Sequence, residues 1–279
     1  MRTRDALAAG SARLGRAGVA SPDHDAAEIL AHVLGTERSR LALVDEVGAA
    51  ELAAYDALVS RRAAREPLQH LTGTAWFRHV SVEVGPGVFT PRPETELLAG
   101  WAVEAASSLD APVVVDLCTG SGVIAKSLAD EVPTATVHAV EADPPAHAWA
   151  ARNLAGTGVD LRQGDFATAF DDLLDRVDVV VCNPPYVPLE AWESVAPEAR
   201  DHDPHLALFS GADGLDAIRV LAVRAADLLR PGGVVGVEHA DVQGESVPAI
   251  FSATGRWTEV RDHADLTGRA RYTTARLAR

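Results

Sequence analysis

Apolar and polar positions repeat at helical spacing along the first part of the chain. The stretch "SPDHDAAEILAHVLG" places Ser21 at an N-cap position, Pro22 at the first helical position and Gly35 after the last apolar residue. A second Ala-rich and Leu-rich stretch, "AAELAAYDALVSRRAAR", has the same amphipathic spacing. These patterns predict a small helical domain over residues 1–75.

The period of the pattern changes after residue 75. "HVSVEV" alternates and is followed by Gly85, Pro86 and Gly87, which predicts a β-hairpin connector over residues 76–92. Valine-rich runs then alternate with helical stretches: "APVVVDL", "ATVHAVEA", "VDLRQGD" and "RVDVVVCNPP". Such alternation is typical of a parallel sheet with helices on both faces, so an α/β, Rossmann-like domain is predicted over residues 93–279.

Charge and composition exclude several classes of protein. The formal net charge of −15, from 40 acidic and 25 basic residues, should repel a phosphate backbone, so no direct nucleic-acid partner is expected. The absence of a long apolar run and of a secretory signal predicts a cytoplasmic protein with no membrane partner. Two cysteines and ten histidines without ligand spacing predict no metal site.

A turn rich in small residues follows the first valine-rich strand. "VVVDLCTGSGVIA" places Asp116 before the turn and five residues within it: Cys118, Thr119, Gly120, Ser121 and Gly122. Small residues allow a ligand to approach the backbone, and the following helix start offers free N–H groups. The stretch is not a P-loop, because Ala125 replaces the required glycine, and it is not a G-x-G-x-x-G dinucleotide loop.

Polar residues at the ends of the next two strands describe an adenosine pocket. Glu141 stands about 20 residues after the loop, where a carboxylate can bind both ribose hydroxyls. Asp165 can accept a hydrogen bond from the adenine amino group, and Phe166 can pack on the ring. Each residue taken singly is more often a turn or core residue. Because Asp116 suits a zwitterionic amino acid rather than a pyrophosphate, we expect S-adenosylmethionine as the cofactor.

The fourth strand ends on a rigid polar corner, "VVVCNPPYVP". Pro184 and Pro185 fix the backbone, so the Asn183 side-chain oxygen and the Pro184 carbonyl can act as two acceptors for one planar NH2 group. Tyr186 can cover the flat face of that group. The tripeptide alone would be an ordinary strand-ending turn, but beside an adenosine pocket it predicts methyl transfer to an amide or arylamine nitrogen, with Asn183, Pro184 and Tyr186 as catalytic residues.

The chain resembles the HemK/PrmC family of protein-(glutamine-N5) methyltransferases over nearly its whole length. The resemblance rests on Asn183–Tyr186 and on "FTPRPETELL", "DLCTGSGVIA", "LALFSGADGLDAIR", "LLRPGG" and "DLTGRAR". It implies a class I S-adenosylmethionine-dependent methyltransferase fold, a helical substrate-recognition domain, and the Gly-Gly-Gln glutamine of class 1 peptide chain release factors as the substrate. It also implies that Cys118–Gly122, Glu141, Phe166 and Asn183 line the cofactor and that Asn183, Pro184, Pro185 and Tyr186 hold the glutamine amide.

The sequence departs from the family pattern at three places and is also compatible with two other functions. Cys118 replaces a frequent glycine, Phe166 a frequent tryptophan, and "EHADVQ" a Glu-(Ile/Val)-Gly pattern. Adenine-N6 methyltransferases share the corner but should carry a basic target-recognition region, and a protein that only binds the cofactor would not need an intact corner. Adjacent first and fourth strands should also bring Cys118 and Cys182 together, so oxidants should slow the enzyme. A monomer is expected.

Overall fold

The computed structural model describes all 279 residues, which divide into two compact units. The first unit contains Met1–Thr74 and a later segment, Ala196–His202. Its α-helices are α1 (Thr3–Arg16), α2 (Pro22–Val33), α3 (Ala49–Ala63), α4 (Leu68–Thr72) and α8 (Pro197–His202), with a 3-10 helix η1 at Arg38–Leu43. Ser21 is the N-cap of α2 and Gly35 has φ +60°, as the sequence pattern predicted.

A partly buried ion-pair cluster ties the segment containing α8 to the rest of the first unit. Arg62 donates to Asp25 over 2.7 Å and to Glu198 over 3.0 Å, and Arg65 donates to the same Glu198 carboxylate over 2.7 Å. Burial alone would raise the pKa of Glu198, but the two guanidinium partners lower it to about 2. The later segment is therefore fixed in this unit by charge-assisted hydrogen bonds.

The second unit contains a two-stranded hairpin and a seven-stranded sheet. The hairpin consists of β1 (Thr74–Phe77), which begins at the last residue of the first unit, and β2 (Val80–Glu83). The sheet has the order β5-β4-β3-β6-β7-β9-β8. Its strands are β3 (Val113–Leu117), β4 (Thr136–Glu141), β5 (Asp160–Gln163), β6 (Val177–Cys182), β7 (Leu229–Glu238), β8 (Trp257–Ala264) and β9 (Ala270–Leu277).

Helices connect and cover these strands. They are α5 (Thr95–Ser107), α6 (Val123–Glu131), α7 (Pro144–Asn153), α9 (His205–Leu208), α10 (Asp216–Leu228) and α11 (Ser246–Ala253), with 3-10 helices η2 (Asp171–Leu173), η3 (Leu189–Ser194) and η4 (Asp241–Gln243). Two apolar clusters contain the buried core of the unit, and every residue of β6 is buried. None of the helices combines the length and the apolar character that crossing a membrane requires.

The sheet is mixed, whereas strand–helix alternation predicted a parallel one. Strands β3 to β7 pair in parallel, but β9 pairs antiparallel with both β7 and β8. The reason is the short connection from β8 to β9, because a tight turn can join only antiparallel neighbours.

The strand order places a ligand crevice at the carboxyl end of β3. Strand β3 lies between β4 and β6, so the chain order reverses at this strand, and such switch points bind ligands in open α/β sheets. In the register, Leu117 pairs with Val140 on one side and with Cys182 on the other. The residues that follow these three strands are therefore neighbours.

Candidate active site

The loop after β3 is built from left-handed residues. Cys118, Gly120 and Gly122 have φ values of +62°, +57° and +84°. A Cβ on Gly122 would lie 3.0 Å from Cγ of Leu154, so packing as well as the backbone excludes a side chain there, whereas a Cβ on Gly120 would meet nothing within 4 Å. The loop thus keeps open space at Gly120, where a ligand can approach the backbone.

Asp116 lies beneath this loop and fixes its shape. Its Oδ2 accepts hydrogen bonds from the Thr119 hydroxyl over 2.6 Å and from the Ala125 N–H over 3.1 Å. Burial raises the pKa of Asp116 to about 7 although both hydrogen bonds lower it. The other oxygen, Oδ1, is buried and has no hydrogen-bond partner.

Asn153, which sequence reasoning missed, holds the loop from the other side. Its Nδ2 donates to the Ser121 carbonyl over 2.9 Å and to the Glu83 carbonyl over 2.9 Å, and its Oδ1 accepts from the Glu83 N–H over 2.7 Å. One carboxamide therefore joins the loop to β2 of the hairpin. No local pattern marks this residue, because its partners lie 32 and 70 residues away.

Glu141 contacts the loop directly and retains capacity for a ligand. Oε2 accepts from the Gly120 N–H over 2.8 Å and Oε1 accepts from the Asp143 N–H over 2.9 Å. The Ala142 N–H is a third backbone donor to this carboxylate. Because an ionised carboxylate has about four acceptor positions, capacity remains for a ligand hydroxyl. Burial raises the pKa of Glu141, and the backbone hydrogen bonds oppose that rise.

The two adenine-binding residues predicted from sequence lie after β5. Asp165 is exposed and its Oδ1 accepts from the Ala167 N–H over 2.9 Å, while Phe166 is half-buried against the core. Their contacts with an adenine ring remain a prediction.

The loop fits S-adenosylmethionine better than a phosphate ligand. Lys126, the only lysine in the chain, donates to the Ser81 carbonyl over 2.8 Å rather than to the loop. The unpartnered oxygen of buried Asp116 instead complements a cationic amino group. Open space at Gly120 and the remaining acceptor capacity of Glu141 complete a site suited to an adenosine with an amino-acid tail.

Asn183 follows β6, and its side chain is oriented by Thr95. Its Nδ2 donates to Thr95 Oγ1 over 3.3 Å, which leaves Oδ1 as the acceptor end of the carboxamide. Pro184 is buried and Pro185 is half-buried, so the corner is packed as well as stiff. Thr95 begins α5 and belongs to the "PRPETE" stretch, so this stretch is in direct contact with the corner.

Two residues later in the chain hydrogen-bond to Tyr186, and a third lies close to its carbonyl oxygen. The hydroxyl donates to Glu238 Oε1 over 3.1 Å, and the carbonyl accepts from Gln243 Nε2 over 3.0 Å. A Cβ on Gly214 would lie 2.3 Å from the same carbonyl oxygen. Burial and the nearby Glu238 raise the pKa of Tyr186, so the phenol stays protonated.

The two thiols lie together, as the neighbouring strands predicted. Cys182 is buried, and Cys118 lies beside it. Burial is the largest cause that raises the pKa of the Cys182 thiol, and contact with Cys118 adds to it. Cys182 is therefore a poor thiolate in the resting protein.

The segment before α5 is fixed by Asp203. Arg92 Nη2 donates to Asp203 Oδ2 over 2.6 Å, and the Thr90 N–H donates to Oδ1 over 3.3 Å. The Arg92 guanidinium also lies 5.0 Å from the centre of the Phe89 ring. Phe89–Glu94 is thus an ordered border of the site, although its contact with a cofactor remains a prediction.

Fold and site together define a class I S-adenosylmethionine-dependent methyltransferase. The family described as PrmC N-terminal domain matches residues 5–73, and the family described as methyltransferase small domain matches residues 86–198. The release factor glutamine methyltransferase of Streptomyces coelicolor is 56% identical over 274 residues, which cover 98% of this chain and 97% of that protein. The chain belongs to the release factor glutamine methyltransferase family.

The chain is also similar to a methyltransferase of a small-molecule amine and to an RNA-bound methyltransferase domain. A Streptomyces pristinaespiralis protein named 4-amino-L-phenylalanine/4-methylamino-L-phenylalanine methyltransferase is 46% identical over 205 residues, or 72% of this chain and 70% of that protein. The structure of the hMettl16 catalytic domain in complex with the MAT2A 3'UTR hairpin 6 aligns with a TM-score of 0.55 at 14% identity, and covers 71% of this chain and 75% of that chain. The second likeness shows the fold alone.

Proposed function

We propose that this chain transfers the methyl group of S-adenosylmethionine to the side-chain amide nitrogen of the glutamine in the Gly-Gly-Gln motif of class 1 peptide chain release factors. The observation that carries the proposal is the Asn183 carboxamide. Its N–H group is given to Thr95, so its oxygen is the acceptor end at a corner that two prolines keep rigid. The name of the Streptomyces coelicolor relative supports the same substrate.

The corner can orient an amide nitrogen, which is a poor nucleophile, for methyl transfer. The lone pair of an amide nitrogen is delocalised, so the group reacts only when it is oriented in line with the methyl donor. Asn183 Oδ1 and the Pro184 carbonyl would accept the two N–H bonds, and both hydrogen bonds strengthen as the nitrogen becomes pyramidal and positive. Such positioning can lower the barrier by roughly 7 to 11 kcal/mol.

The cofactor-binding residues divide by the part of the ligand that they would hold. Glu141 would bind the ribose hydroxyls, Asp165 and Phe166 the adenine, and the loop Cys118–Gly122 with Asp116 the amino-acid tail. When bound, S-adenosylmethionine supplies an electrophilic methyl group on a sulfonium. No side chain of the corner has to remove a proton, since the methylated amide nitrogen is acidic enough to lose its proton to water.

The proposal also assigns a role to each part of the chain. Residues 1–75 would form the substrate-recognition domain, residues 76–92 the connector and residues 93–279 the transferase domain. A cytoplasmic location follows from a substrate that works in translation, and the enzyme would act as a monomer without binding nucleic acid directly.

The test offers labelled S-adenosylmethionine with four acceptors side by side. They are a purified class 1 release factor, the same factor with the Gly-Gly-Gln glutamine replaced by alanine, duplex DNA, and free 4-amino-L-phenylalanine. Label is expected on the intact release factor alone, and Asn183→Ala should abolish it. Label on DNA alone or on the arylamine alone would overturn the proposal.

A further inference from the structure

A buried carboxyl beside the acceptor corner has no part in the chemistry described so far. Glu238 ends β7 and is 1% exposed. Its Oε1 accepts the Tyr186 hydroxyl over 3.1 Å, and its Oε2 is buried without a hydrogen-bond partner. The Thr95 hydroxyl lies beside this carboxyl, close enough to lower its pKa. A carboxylate in such a place strongly attracts any proton that a neighbour can offer.

The Thr95 hydroxyl connects this carboxyl to Asn183. A hydroxyl has one proton to donate, and its oxygen can accept in addition. If the proton goes to Glu238, then Thr95 Oγ1 can only accept from Asn183. The observed 3.3 Å contact from Asn183 Nδ2 to Thr95 Oγ1 has this direction. The flipped carboxamide would place Asn183 Oδ1 against the Thr95 oxygen with no proton between them.

We propose that Glu238 is a positioning residue which, through Thr95, holds the Asn183 carboxamide with its oxygen toward the methyl acceptor. The inference rests on the proposed function, because it explains how the acceptor end of Asn183 is selected. It also gives the "PRPETE" stretch and the acid at the end of β7 a common role at this corner. A carboxamide free to turn would offer an N–H group to the substrate N–H in half of its orientations.

The protonation state of Glu238 decides whether this selection operates. The groups that face it are Thr95, Tyr186, Arg271 and Glu94. Burial raises its pKa to about 7, hydrogen bonds from Thr95 and Tyr186 and the charge of Arg271 lower it, and the charge of Glu94 raises it. Above that pH the ionised Glu238 carboxylate accepts a hydrogen bond from the Thr95 hydroxyl. Below that pH the carboxyl is protonated and no longer fixes the direction of the hydrogen bonds that join Glu238, Thr95 and Asn183. We therefore expect kcat to fall as the pH is lowered.

Isosteric variants test the inference in the release-factor assay. Glu238→Gln supplies an N–H group where Thr95 needs an acceptor, and Thr95→Val removes the hydroxyl at nearly constant volume. Each is expected to lower kcat about 10- to 100-fold, as loss of an orienting partner does. The Kd for S-adenosylmethionine, measured by calorimetry, should change less than about threefold. Thr95→Ser, which keeps the hydroxyl, should retain activity within about threefold of the wild type.

Coupling and pH dependence separate positioning from a merely structural role. Both residues act through the same series of hydrogen bonds. The kcat of the double variant Glu238→Gln/Thr95→Val should therefore lie within about threefold of the kcat of the slower single variant. The acidic limb of the kcat profile near pH 7 should disappear in Glu238→Gln. Glu131→Gln removes a partly buried acid whose two oxygens both bind Arg78, and as the control for loss of a carboxylate it should keep the wild-type profile.

Failure of this inference is distinguishable from failure of the proposed function. A wild-type enzyme that leaves the release factor unlabelled would refute the function itself. An active wild type whose two single variants lose activity additively, or whose Glu238→Gln variant keeps both its kcat and its acidic limb, would refute the positioning role alone.

Discussion

Replacing Gly214 by alanine should displace the acceptor corner without unfolding the protein. Gly214 has φ +77°, and a Cβ built on it lies 2.3 Å from the Tyr186 carbonyl oxygen and 2.9 Å from Gln243 Nε2. To restore an ordinary contact near 3.4 Å, the Tyr186 carbonyl must move by about 1 Å. A shift of that size in a reacting geometry costs about 100-fold in rate.

A matched control separates the effect of a left-handed alanine on the backbone from the effect of displacing the Tyr186 carbonyl. Gly255 has φ +69° and its Cβ would meet nothing within 4 Å, so Gly255→Ala introduces the same left-handed alanine without a collision. Both variants should lose about 1–2 kcal/mol of unfolding free energy from the backbone alone. Only Gly214→Ala should lose activity, because only there does the new methyl group push on Tyr186.

The assay is the initial rate of labelling of the release factor, with urea unfolding of both variants in parallel. Gly214→Ala is expected to show kcat lowered about 100-fold while its Kd for S-adenosylmethionine stays near that of the wild type. Equal rates for Gly214→Ala and Gly255→Ala would refute the reasoning, since the collision would then have no effect on the corner.

Four further predictions follow from the loop, the thiols, the buried acids and the charge. Cys118→Gly should raise the free energy of unfolding by about 0.5–1 kcal/mol in urea, because φ +62° strains any residue with a Cβ; lower stability would contradict it. Hydrogen peroxide, which is reduced to water as Cys118 and Cys182 form a disulfide, should slow the wild type reversibly with dithiothreitol, and equal sensitivity of the double alanine variant would contradict this. Stability in urea should fall as pH rises from about 4 to 8, because burial raises the pKa of Asp116 to about 7, of Asp203 to about 6 and of Glu238 to about 7, so the folded state holds protons that the unfolded state has released; a rise across this window would exclude that cause. Release-factor binding should weaken as salt is added if the charge of −15 attracts a basic domain, and a Kd independent of salt would show that it does not.

Local sequence rules predicted the elements of this fold well. Helix α2 has its N-cap at Ser21 and its left-handed glycine at Gly35, because caps and turns depend on neighbouring residues. Strand β6 is buried throughout and β3 at all but its first residue, as near-continuous apolar runs require, whereas β5 at the edge of the sheet has no buried residue. The pairing of β9 was not predictable in the same way, since no local feature of Ala270–Leu277 states which strand it joins.

The site residues show the same division. Asn183–Tyr186 and Cys118–Gly122 could be selected from sequence because two prolines or several small residues in a row restrict the backbone visibly. Asn153, Gly214 and Gln243 could not, although each contacts the loop or the corner directly. Their identity depends on partners that only folding brings near.

The sequence by itself determined where strands and helices form and which corner is rigid, because backbone restriction and apolar period are local properties. The tertiary structure alone decided that Thr95, Asn183 and Glu238 meet, since they end or begin elements from three separate parts of the chain. Hydrogen-bond direction depends on every partner in the network at once, and for that reason the orientation of one carboxamide is a property of the folded protein rather than of its motif.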